Sequence, residues 1–287
     1  MAYLLLVTSM VLGLLAFWAI IRLNRSGPLP YELVDSIGLG DLSEVHGALR
    51  DDKRFIVKIP RVPHCNPLMA KEHDAIMELR KRAENSSYLE YLPDPVETFE
   101  QEGRRINVFR WRDGFRTAEE IRKRYPEGLD GRHLAWMFNR TLEVLGFVHR
   151  AGWIHGAVLP PHLMFHPEDH ALMLVGWIHA ERLNRPLSVV PARFADWYPR
   201  ECRDRAPLTP SVDIFLAAKT VIHLAGGDPV RGEVPKAVPN DIRRFLKACL
   251  LETPRSRCQD AWQLHEEFTQ LLEGVYGFPK YHNLVMT

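Results

Sequence analysis

Leu134 to His162 reads LAWMFNRTLEVLGFVHRAGWIHGAVLPPH. Leu134, Met137, Phe138, Leu142, Leu145 and Val148 recur at three- and four-residue steps. Gly131 to Ala151 is therefore expected to form an amphipathic helix with one apolar side. After it comes a loop containing Gly152, Gly156 and Pro160, which reaches the apolar residues Leu163 and Met164.

Downstream, Ser211 to Leu224 reads as a mostly apolar, buried helix. Ile242 to Leu251 and Gln259 to Leu272 are two further expected helices. Upstream, Val45–Leu49 and Phe55–Ile59 are apolar runs separated by Asp51-Asp52-Lys53, a hairpin pattern. Pro67 to Arg82 reads as a helix, with Met69, Ile76, Met77 and Leu79 at helical spacing. Val96 to Trp111 reads as two strands across Gln101-Glu102-Gly103. The expected architecture is α+β, a strand-rich part followed by a larger helical part.

Several segments carry recognisable spacing. Ile37 to Val45 reads G-x-G-x-x-S-x-V over its glycines Gly38 and Gly40, which alone marks only a tight turn. Lys58 ends Phe55-Ile-Val-Lys58 one strand later, and Glu72 follows on a helix. This order of glycine loop, strand lysine and helix glutamate resembles the N-lobe of protein kinases. The 134–162 segment resembles that family's long helix and its H-R-D-L-K-P-x-N catalytic loop, with His155, Pro160, Leu163 and Met164 in register. Ala171–Ile178 resembles the strand into D-F-G. Trp197–Glu201 resembles the A-P-E end of the activation segment. Ser211–Phe215 resembles the start of the next helix, and Thr253–Arg257 the late D-P-x-x-R motif. The resemblance covers residues 31–273 and implies a two-lobed protein-kinase-like fold, with an N-lobe at about 31–111 and a C-lobe at about 112–273.

The resemblance also shows what is missing. Kinases chiefly position groups and supply charge around the transferred phosphoryl. At the position of the catalytic-loop aspartate stands Ala157, after Gly156 in place of arginine. His162 replaces the magnesium-binding asparagine, Gly176 the D-F-G aspartate, and Leu159 the loop lysine. Magnesium prefers hard oxygen donors, which His162 does not offer. Loss of general-base help alone costs roughly 10²- to 10⁴-fold. Ile56 stands where V-A-I-K has its small alanine, crowding the adenine site. Gly38, Gly40, Val45, Lys58, Glu72 and Met164 outline the nucleotide cleft that the resemblance implies. No cofactor is expected, with ATP without magnesium the alternative through Lys58.

The positions that remain are architectural by the same resemblance. His155, Trp177 and Ile76 match a hydrophobic column, Glu201 and Arg257 a buried ion pair, and Asp213 a residue that hydrogen-bonds the catalytic-loop backbone. Supports without chemistry imply a pseudokinase, a protein-binding scaffold or regulatory module. The alternatives are an atypical kinase-like transferase using Asp41, Glu168 or Asp169, and an ATP-binding sensor without turnover.

The rest of the sequence sets limits. Ala2 to Ile21 is a 20-residue run without charge, with Trp18 near its end and Arg22 and Arg25 beyond it. Its length suits one transmembrane helix. The flanking arginines place the following residues in the cytoplasm and the N-terminus outside; a signal peptide and a buried helix are the competing readings. Residues 22–30 read as a linker and 274–287 as a tail. The 37 basic and 36 acidic residues leave a net charge of +1, which gives no global field for nucleic acid. Expected partners are therefore proteins, with the membrane met through the N-terminal run. The four cysteines form no CxxC, which argues against a disulfide framework or zinc ribbon. His155, His162, His166, His170 and His179 match no metal-ligand spacing, so no metal is expected. Arg110, Arg112, Arg116, Arg122, Lys123 and Arg124 read as a solvated face or an anionic contact.

Overall fold

The computed structural model describes residues 24–25, 28–278 and 280–286. They fall into two compact units. One comprises the chain up to His73 together with Asp94–Trp111, the other Asp74–Pro93 together with the chain from Arg112 onward.

The first unit is built on a six-stranded sheet. Its strands are β1 (Asn24–Arg25), β2 (Glu32–Leu39), β3 (Ser43–Arg50), β4 (Lys53–Pro60), β5 (Pro95–Gln101) and β6 (Arg104–Arg110), in the order β1-β5-β6-β4-β3-β2. Two of its hairpins turn on two residues. Asp51 and Asp52 have φ of 50° and 57°, and Glu102 and Gly103 have φ of 51° and 72°. Positive φ at both turn positions matches the right-handed twist of the flanking strands. Alternation then fixes the faces. Phe55, Val57 and Ile59 of β4 and Ile106 and Val108 of β6 enter one buried cluster with Tyr31, Ala48 and Phe99. Ile56, Lys58 and Asn107 consequently lie on the other face. Helix α1 (Asn66–Arg82) crosses the division between the units, which falls between His73 and Asp74.

The second unit is mainly helical. Its helices are α2 (Ala118–Arg124), α3 (Gly131–Arg150), α4 (Arg200–Arg203), α5 (Ser211–Leu224), α6 (Asn240–Cys249) and α7 (Ala261–Tyr276). Asp130 caps α3 by accepting from the Arg132 amide, and Asp260 caps α7 by accepting from the Trp262 amide. α3 packs against both α5 and α7. Phe138, Phe245 and Phe268 meet at the junction of α3, α6 and α7, with ring centroids 4.9 to 6.3 Å apart. α5 is buried along nearly its whole length, as its apolar composition requires. Two small sheets complete the unit. β7 (Arg116–Thr117), β9 (Leu163–Phe165) and β10 (Leu172–Leu174) form one, and β8 (Trp153–Ile154) pairs with β11 (Glu181–Arg182).

The expected fold class therefore needs correction. The described elements support the coarser class, α+β with a β-rich sheet and helices. The transmembrane helix expected at Ala2–Ile21 lies outside the described residues, and no described helix is long and apolar enough to cross a membrane. α3 has the length, at 20 residues, but carries Arg132, Arg140, Glu143 and Arg150. The strand expected over Ala171–Ile178 is also shorter. It ends at Leu174, because Gly176 turns the chain at φ 85° and Trp177–His179 forms a single 3₁₀ turn.

Candidate functional site: a carboxylate-held loop and a buried lysine

The helix–loop segment Leu134–His162 folds around one carboxylate. Asp213, at the start of α5, is fully buried. Its Oδ1 accepts from the Gly156 amide at 2.8 Å. Its Oδ2 accepts from the His155 amide at 2.8 Å and lies 2.9 Å from Nε2 of His149. An ionised carboxylate only accepts, so Nε2 of His149 carries the proton. Tyr198 closes the loop by donating its hydroxyl to the Gly156 carbonyl at 2.8 Å. Burial, with Cys202 and Asp213 nearby, pushes the Tyr198 phenol well above its ordinary pKa, so it stays a neutral donor.

His155 and Trp177 are fully buried. The His155 ring stands edge-on to Trp177 at 4.8 Å, and its Nε2 lies 2.9 Å from the Val175 carbonyl. Trp177 donates its indole N–H to the Leu174 carbonyl at 2.7 Å. Ile76 is fully buried on α1. Glu201 pairs with Arg257, whose side chain is fully buried and whose guanidinium lies 5.1 Å over the Phe215 ring.

Ala157, His162 and Gly176 come together. His162 is half-buried, and its Nδ1 lies 2.8 Å from the Ala157 carbonyl, so Nδ1 carries the proton. A β-carbon added at Gly176 would sit 2.5 Å from Cδ2 of the His162 ring. The histidine therefore takes space that a side chain at 176 would need. The ring is also 5.8 Å from that of His179. Met164 is half-buried on β9. Glu168 and Asp169 are exposed at the tip of the β9–β10 hairpin, between His166 and His170. Among the described residues no group of three or more His, Cys, Asp or Glu side chains is placed to hold a metal ion.

In the first unit, Lys58 is 6% and Glu72 2% exposed. The ammonium lies 2.5 Å from Glu72 Oε1. Asn107 donates to the second Glu72 oxygen at 3.1 Å and to the Met69 carbonyl at 2.9 Å. Thr98 in turn donates its hydroxyl to the Asn107 side-chain oxygen at 3.1 Å. Strand register lines up Val45, Lys58 and Asn107 on adjacent strands. Asn107 has no motif of its own, yet its alternation with Ile106 and Val108 places it on the lysine's face. Gly38 and Gly40 both have ordinary negative φ, and a β-carbon at Gly38 would meet open space. Neither glycine is required by backbone strain. Asp41 is exposed in that turn.

The arginine-rich stretch is engaged locally. Arg110 pairs with Asp94, Arg112 with Glu90, and Lys123 with Glu119. Arg122 donates to the carbonyls of Tyr125 and Pro126. No protein-family model matches the chain, and no curated protein matches it.

Proposed function

We propose that this chain is a degenerate relative of the protein kinases, a pseudokinase that engages a protein partner without transferring phosphate. The observation that carries the reading is the convergence of Ala157, His162 and Gly176. The imidazole, bound to the Ala157 carbonyl, fills the space beside Gly176. The loop thus offers one imidazole and no carboxylate where phosphoryl transfer uses a carboxylate base and two oxygen ligands. The supports around that loop, Asp213, His155, Trp177 and the Glu201–Arg257 pair, are all engaged. A shaped surface with no chemistry is what a scaffold requires.

A second reading rests on the buried lysine. Lys58 is held by Glu72, which Asn107 fixes in turn, in a network that an ATP-binding protein without turnover could use. One titration separates the readings. The full chain is heated with ATP, with and without magnesium, and assayed for transfer of labelled phosphate. The scaffold reading expects no magnesium-dependent stabilisation and no transfer. Stabilisation by ATP alone, lost in Lys58→Ala, favours the sensor. Phosphate transfer abolished by Lys58→Ala overturns both.

A further inference from the structure

The chain leaves α7 at Gly277, whose φ of 73° and ψ of −155° lie where glycine alone sits without strain. The residues that follow lie against the second unit. Tyr281 stacks on His170 with ring centroids 4.6 Å apart, and His170 stacks on Trp136 at 4.2 Å with planes 6° apart. Trp136 in turn meets Phe165 edge-on at 5.5 Å. The Tyr281 hydroxyl donates to the Glu168 carbonyl at 2.6 Å. Nε2 of His170 lies 2.8 Å from the His282 carbonyl and therefore donates to it. Tyr125 donates its hydroxyl to the Val285 carbonyl at 2.7 Å. Leu284 is 1% exposed.

These contacts have a common form. Two side chains of the segment make contact three positions apart: Leu284 is buried, while Tyr281, 60% exposed, holds on by its stack on His170 and its hydroxyl. Two side chains of the folded unit, His170 and Tyr125, donate to backbone carbonyls of the segment. Main-chain hydrogen bonds plus spaced side-chain anchors are how a protein surface recognises an extended peptide. None of these contacts depends on the segment being joined to α7.

We propose that the face formed by α3, the β9–β10 hairpin and Tyr125 is a peptide-binding groove, which residues 281–286 of the same chain hold shut. Its ligand in trans is an extended segment of a partner protein with an aromatic residue followed three positions later by leucine. The inference goes beyond the pseudokinase reading and does not rest on it, since it uses neither the carboxylate-held loop nor Lys58. Tethering gives the resident segment an effective concentration on the order of millimolar. A partner must therefore outbid the resident segment with contacts of its own, or bind once the segment has been released.

The test titrates a fluorescein-labelled peptide, YHNLVMT, into the full chain and into a full-chain variant carrying Tyr281→Ala and Leu284→Ala. The variant is expected to bind the peptide about tenfold more tightly than the unaltered chain, because its groove is open. Adding His170→Ala to the variant, or replacing the peptide's tyrosine and leucine by alanine, is expected to abolish binding. Equal binding to both chains, or none to a variant that melts within a few degrees of the original, overturns the proposal. A variant that fails to fold is replaced by hydrogen exchange on the unaltered chain. There, excess peptide should speed deuterium uptake by the amides of 281–285, and unchanged uptake overturns the proposal equally.

Discussion

His162 and Gly176 are coupled by volume. Gly176 sits at φ 85°, where a β-carbon costs roughly 1–2 kcal/mol, and that carbon would lie 2.5 Å from the His162 ring. Gly176→Asp alone is expected to lower stability by about 2–4 kcal/mol through backbone strain and overpacking. His162→Ala removes Cγ, Cδ2 and Nε2, the ring atoms that crowd the position. The double variant should therefore recover at least about 1 kcal/mol relative to the sum of the single changes. Urea unfolding of the four proteins measures this, and strict additivity would show that the two residues do not compete for space.

α5 organises the loop through a single side chain. Asp213 receives two backbone amides and the His149 ring, all in a buried setting. Asp213→Ala leaves three donors without that acceptor, at an expected cost of about 3–5 kcal/mol. Asp213→Asn keeps one oxygen and should cost less. Exchange at the His155 and Gly156 amides is the specific readout; protection that survives Asp213→Ala would mean that other groups hold the loop. The element scale also shows what the sequence made legible. β3, β4, α1, α3 and α5 follow from periodicity, since each runs for 8 to 20 residues. α2 does not, because only Ala118 and Ile121 of its seven residues are buried, too few to set a period. What fixes it is the Thr117–Glu120 capping box at its start. In the candidate site, the loop positions and Asp213 were singled out only by the resemblance. Nothing singled out His149, Tyr198 and Asn107, because each acts on a partner far along the chain. His149 meets Asp213 across 64 residues, Tyr198 meets Gly156 across 42, and Asn107 meets Glu72 across 35.

Buried titratable groups limit the stability of the whole molecule on both sides of neutrality. His133, His170 and His223 have pKa values lowered first by burial. For His133, Asp130 opposes the shift while His170 and His282 add to it. For His170, the hydrogen bond to the His282 backbone opposes it, and Arg140 and His282 add to it. For His223, Arg122 and Arg193 add to it and Glu119 opposes it. The unfolded chain then holds more protons than the native one just below the ordinary histidine value, about 6.5. Stability is full above that value and is lost as pH falls through the window beneath it. Glu78 and Glu119, lowered through Arg182 and Arg193 against the opposing effect of burial, add a second loss below the ordinary carboxylate range. The alkaline side has the opposite sign. Burial pushes the thiols of Cys202 and Cys249 up to about 12, so they stay protonated while unfolded thiols ionise. Above about pH 8.5 each thiol lowers stability by about 1.4 kcal/mol per pH unit. Lys219, lowered by burial against the attraction of Asp228, opposes this with one group against two. Maximum stability is therefore expected between about pH 6.5 and 8.5. Urea unfolding from pH 5 to 10 tests it. Cys202→Ala with Cys249→Ala should lower stability throughout, since both sites are buried, and also flatten the alkaline slope. If the slope is unchanged in that variant, the thiols of Cys202 and Cys249 are not its source.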